Sequence, residues 1–132
     1  VNYRDFDSQN ASRCDITLGS GPFSIRSPEY DLSVSRAESV YNLASDPTLE
    51  TLAPTEVDNA EQGLKDAKAA EKTTEMAGAL FTVFTNTQDV AEIAISSGGA
   101  VATTKGQTLL EESLELKNFH RRIALFLSGR CL

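Results

Sequence analysis

Two cysteines, Cys14 and Cys131, are the only thiols of the chain and stand near its opposite ends. Joined, they would close nearly the whole chain into one covalent loop, a constraint worth about 4 to 5 kcal/mol in the chain-entropy account of disulfide stabilisation. An even cysteine count in a short chain fits such a bridge, and structural disulfides persist in oxidising compartments. The expectation is a Cys14–Cys131 disulfide in a secreted, extracellular protein, against the alternative of two unrelated thiols in an intracellular one. The chain starts at Val1, without an initiator Met and without a basic start followed by an apolar run. That start fits a proteolytically processed precursor, from which a sister chain could also derive. Asn10-Ala11-Ser12 is a sequon, so Asn10 is a candidate glycosylation site.

With 132 residues, 40% of them hydrophobic and 23% charged, the chain has the length and balance of one folding unit. The expected organisation is a single domain over residues 1–132 with a polar N-terminal arm over about 1–13. Acidity is concentrated rather than spread. Between Ser27 and Leu64 stand Glu29, Asp31, Glu38, Asp46, Glu50, Glu56, Asp58 and Glu61, against Arg36 alone. Such a face repels phosphate backbones and anionic headgroups, which argues against a nucleic-acid partner. It suits either a basic protein partner or a plainly solvated surface. No uncharged stretch approaches the roughly 18 apolar residues needed to span a bilayer.

Hydrophobic periodicity predicts a mixed fold. Cys14, Ile16 and Leu18 alternate with polar residues, Gly19-Ser20-Gly21-Pro22 reads as a turn, and Phe23-Ser24-Ile25 follows as a second strand. Tyr30, Leu32 and Val34 alternate again. Ser35-Arg36-Ala37-Glu38 has capping-box spacing ahead of an apolar face at Ala37, Val40, Tyr41 and Ala44. Asp46-Pro47 ends that helix and can cap a short turn through Leu52. A long helix is predicted from about Thr55 to Gly78, burying Val57, Ala60, Leu64, Ala67 and Ala70, with Glu61 and Lys65 spaced for an ion pair. Strand is predicted after Gly78. Ile93–Ser97 and Ala100–Thr104 flank Gly98-Gly99 as a β-hairpin would. A last helix is predicted from Thr108 to about Leu127, with Leu109, Leu116, Phe119, Ile123 and Phe126 inward and Gly129 as its cap, delivering Cys131 just beyond. The fold class expected is α+β, a small mainly antiparallel sheet packed against two main helices, with an all-α bundle as the alternative.

Candidate chemistry is sparse. His120 is the only histidine, which removes two-histidine acid/base pairs and multi-imidazole zinc sites, and no cysteine spacing suits a metal. Neither a metal nor a small-molecule cofactor is expected. Lys117, His120, Arg121 and Arg122 form a candidate anion or partner contact, or simply the basic end of a helix favoured by its dipole. Glu112 or Glu115 with His120 and Arg121 would be the residue types of a small hydrolase or nuclease, but one helix cannot easily present them from opposite sides of a substrate. The stretch from Met76 to Thr104 carries only two charges, Asp89 and Glu92. Its predicted hairpin, with Ile93, Ile95, Gly98, Gly99 and Val101, is a candidate membrane or partner contact. The function expected is contact with a protein or membrane target, of the toxin-subunit or effector kind and without enzymatic activity. The alternatives are the His120 hydrolase and an intracellular structural or assembly subunit.

Overall fold

The computed structural model describes the backbone of residues 28–131 and the side chains of residues 31–121. Within them the chain forms five helices and no strand: α1 (Pro28–Ala44), α2 (Pro47–Leu52), α3 (Pro54–Ala69), α4 (Thr73–Ser96) and α5 (Ala100–Cys131). The described residues are all-α, so the expected α+β class is corrected to the helical alternative.

Each strand expectation that falls on described residues is replaced by helix. Alternation at Tyr30, Leu32 and Val34 is overridden by a helix that begins with Pro at its first position, where the missing N–H costs nothing. The result leaves Leu32 55% exposed and buries Ser33 instead. The helix after Pro54 does not run to Gly78. It stops at Ala69, and α4 starts at Thr73, where the Glu75 side chain accepts the Glu71 N–H at 3.3 Å. Phe81 and Val83, expected in a strand, lie within α4. The predicted β-hairpin is an αα-corner: α4 ends, Gly98 takes φ +79°, and α5 begins at Ala100. A left-handed residue after a helix closes the last turn as readily as it closes a hairpin, so the glycine signal was sound and its element assignment was not.

The long helices run antiparallel. Thr87 faces Ser113 across α4 and α5, Phe84 faces His120, and Gly106 lies against Ala91. α3 packs on α4, and α1 lies across α5, α4 and α3. On α5 the buried positions are Ala102, Gly106, Leu109, Ser113, Leu116 and His120. They alternate spacings of four and three, the seam of an antiparallel bundle. Leu109 and Leu116 were expected there. Phe119 is only half-buried, and His120 takes the inward position beside it. α5 begins at Ala100, two turns before the predicted Thr108 start, and runs through Gly129 to Cys131 with no cap at the glycine.

No disulfide joins any of the described residues, so the expected Cys14–Cys131 bridge is not part of the described fold. Cys14 lies outside them, as do the side chain of Cys131, the arm 1–13, the Asn10 sequon and the strands expected before Pro28.

Candidate functional site

The α3–α4–α5 antiparallel arrangement gathers α2, the start of α3 and the α4–α5 corner at one end of the bundle, here called the closed end. α2 is fixed there by the Asp46-Pro47 pair. The Asp46 carboxylate accepts the Thr48 N–H at 2.9 Å, capping the helix as the sequence predicts, while Leu49 is buried. The same carboxylate accepts two hydrogen bonds from the Lys105 ammonium of α5, at 3.0 and 2.8 Å. This contact, followed by the Thr48 amide and against the opposing effect of desolvation, holds the Asp46 carboxyl below the usual range.

Two grooves flank this ion pair. One lies between α2 and the corner, lined by Pro47, Thr51, Leu52, Ser97, Gly99 and Val101 among others. The second lies between the end of α1 and the first turns of α5, with Leu43, Asp46, Pro47, Thr104, Lys105 and Thr108 in its walls. A shallow depression at Ala100, Val101, Thr104 and Lys105 joins them. Val101, Thr104, Lys105 and Thr108 thus form one face over two turns of α5, about 10 Å long at 1.5 Å per residue. Val101 is 61% exposed, and Leu43 and Leu52 are about as exposed as each other, at 40% and 39%.

The rim is acidic. Residues 37–64 contain no base, and residues 73–108 contain only Lys105. The field acts on the groups nearby. Tyr41 donates to Glu61 at 2.7 Å, and that bond, with burial and the charges of Glu61, Glu50 and Asp58, pushes its phenol up to about 12. Glu61 is correspondingly lowered, by Tyr41 first and then by Lys65. On the other side of α3, burial and the neighbouring Glu92 and Glu56 raise Asp89.

The residues expected to carry chemistry are dispersed. His120 is 2% exposed and lies against the rings of Phe84, at 5.5 Å, and Phe81, at 6.0 Å. Its ring donates to the Ala77 backbone carbonyl, and burial, the larger effect, lowers it to about 4. Glu112 and Glu115 point elsewhere, to the Arg36 guanidinium on α1 at 2.7 and 3.1 Å. The carboxylate, imidazole and guanidinium of the hydrolase reading are therefore not brought together. The cationic patch loses His120, which is inside; Lys117, half-buried, and Arg121, exposed, stand one turn apart on α5, and the side chain of Arg122 lies outside the described residues. Of the predicted hairpin contact, Gly98, Gly99 and Val101 are exposed at the corner, Ile93 is 37% exposed and Ile95 is half-buried. Among the described residues no group of three or more potential ligands could hold a metal ion, and no helix is long and apolar enough to cross a membrane.

Sequence reasoning singled out Val101 and the glycines and missed Leu43, Leu52 and Lys105. The available signal was Leu52, left on the solvent side of a two-turn helix whose inward position is already taken by Leu49. Together these features define an acidic, all-helical antiparallel bundle with an apolar groove at its closed end. Comparison with models of known families, with curated proteins and with solved structures finds no match to the chain.

Proposed function

We propose that the chain acts by contact, as a helical docking domain for a protein partner, and that the closed end is its docking surface. The observation that carries this reading is the exposure of Leu52 and Val101 across one groove, with Leu43 in the groove beside it. Single exposed apolar side chains are ordinary, but apolar side chains gathered in adjoining concave surfaces are the usual starting point of a protein contact. Nothing in the core requires them there: Leu49 and Ala53 already fill the inward side of α2 and its junction with α3.

A photo-crosslinking residue at Val101, compared with one at Leu114 on the far half of α5, tests the reading in an extract of the native source. The expected result is one saturable adduct from position 101, competed by the unmodified protein and not by the Leu52→Ser, Val101→Ser double variant. Equal patterns from both positions, or no saturable adduct from position 101, would overturn it.

A further inference from the structure

We infer that the partner segment is a basic amphipathic helix of two to three turns, lying along the first turns of α5; this rests on the docking reading above. Three observations converge. The two grooves and the depression that joins them share one short wall, Val101, Thr104, Lys105 and Thr108 on a single helix face, a length that matches a few turns of helix and falls short of an extended strand of comparable residue count. Its apolar contacts sit at the two flanks, Leu43 on one side of Pro47 and Leu52 with Val101 on the other. A helix would meet them with residues three or four apart on one face. Its near surroundings are mainly acidic: Glu50, Glu56, Asp58, Asp89 and Glu92 stand on the elements around it, while Glu61 is paired with Lys65 at 3.1 Å. Within residues 37–64 and 73–108 the only base is Lys105, which is engaged with Asp46.

An acidic or neutral helix could use the same apolar contacts but would be repelled or unassisted, whereas lysines and arginines on the outer face of a basic helix complement the rim. Lys105 then has a defined role. It neutralises Asp46 on the groove floor and weakens the field felt by an incoming cation, so it sets how basic a partner must be. Because Asp46 caps α2 through the Thr48 amide independently of Lys105, removing the ammonium leaves α2 anchored while exposing the carboxylate to the partner.

The test uses the intact chain and two synthetic 14-residue helical peptides with the same leucine face, one with lysines and one with glutamates on the outer face. Isothermal titration at low and at physiological salt reads the affinities. The lysine peptide is expected to bind and to weaken with salt, and the glutamate peptide is not. Leu52→Ser with Val101→Ser should weaken the lysine peptide by about tenfold or more, and Lys105→Met should strengthen it by about two- to fivefold. Equal affinity for both peptides, or binding of the lysine peptide that survives the double serine variant, overturns the inference. So does association with zwitterionic vesicles in place of the peptide, since the occupant would then be a lipid surface. If the Val101 crosslink is saturable and the lysine peptide does not bind, the partner's chemistry is wrong and the docking reading stands; if the crosslink fails, the docking reading itself falls.

Discussion

The two halves of the α4–α5 seam are built on different principles. Toward the closed end the facing residues are small, with Ala91 and Ala94 against Ala102 and Gly106, and a Cβ added at Gly106 would come within 2.9 Å of the Ala91 carbonyl oxygen. Toward the far end they are large: Met76, Leu80 and Phe84 against Leu116 and His120. Between them sits a buried hydroxyl pair, Ser113 donating to Thr87 at 2.9 Å while Thr87 donates back to the Val83 carbonyl. The small half gains its packing from close backbone approach and contributes little apolar area per residue, while the large half supplies the area. The groove therefore sits on the part of the fold that is positioned by shape, and stability is concentrated away from it.

The largest expected effect follows from that division. Leu116→Ala, fully buried in the large half, should cost about 2 to 5 kcal/mol. Val101→Ser on the groove should shift chemical denaturation by no more than about 0.5 kcal/mol, as exposed substitutions generally do. Equal losses from the two variants would erase the distinction between a stabilising half and a docking half.

Next in size is an acid-sensitive step confined to the large half. His120 is neutral in the fold because burial lowers it to about 4 from an ordinary 6.5, so the unfolded chain binds the proton more readily. Stability from this residue is complete above about pH 6.5 and is lost as pH falls toward 4. The loss amounts to about 3 kcal/mol by linkage. The charged groups that face this region are cations or already paired. Lys117 and Arg121 are on α5 itself, Arg36 of α1 is bound to Glu112 and Glu115, and the α4 residues around the ring, Ala77, Phe81 and Phe84, are uncharged. No carboxylate among these is placed to hold the imidazolium. Thermal midpoints between pH 7 and pH 4 should fall steeply for the native chain and only gently for His120→Leu. A parallel decline of both proteins would place the acid response in the carboxylates of the closed end instead.

The same contrast explains what could be read from residues alone. The Asp46-Pro47 cap, the Glu61–Lys65 pair and the burial of Val57, Ala60, Leu64 and Ala67 were legible, because each depends on neighbours within one or two turns. The second half of α1, with Ala37, Val40 and Ala44 inward, was legible too, whereas its first turns before Ser35 and the part of α4 beyond Gly78 were not. Threonines and phenylalanines at 81–87 favour strands by local preference, and only burial on α3 and α5 makes the helix win. Thr82, Thr85 and Thr87 show how: each hydroxyl folds back to a carbonyl three or four residues earlier and so needs no partner from a strand. The break at residues 70–72 had no glycine or proline to announce it. On α5 Leu109 and Leu116 were read correctly as inward, but Phe119 was read in the place His120 takes, because Gly106, Ser113 and His120 occupy seam positions that apolarity alone does not select. Of the proposed docking surface, Val101 and the corner glycines were visible in advance as an uncharged stretch. Leu43, Leu52 and the Asp46–Lys105 bond depend on the return of α5 past α1 and α2, which local sequence does not encode.

The smallest effects are the sharpest, because three glycines in three helices ask the same question of different surroundings. Replacing an interior helical glycine by alanine gains about 0.5 to 1 kcal/mol when nothing opposes it. At Gly78 nothing lies within 4 Å of the added methyl, so Gly78→Ala should stabilise by that amount. At Gly63 the methyl meets the side chains of Thr82 and Val83 at 3.0 Å, which can yield, and the gain should shrink toward zero or change sign. At Gly106 it meets the Ala91 carbonyl oxygen at 2.9 Å and the Ala94 Cβ at 3.0 Å, neither of which can move without separating the helices. Gly106→Ala should therefore destabilise by about 1 to 2 kcal/mol despite its better helix propensity, an overpacking cost that exceeds the gain. Denaturation midpoints ordered Gly78→Ala above native above Gly106→Ala would establish close backbone approach as the organising feature of the closed end. Stabilisation by Gly106→Ala would mean that α4 and α5 stand further apart there, and the groove, whose α5 wall is set by that approach, would have a different shape.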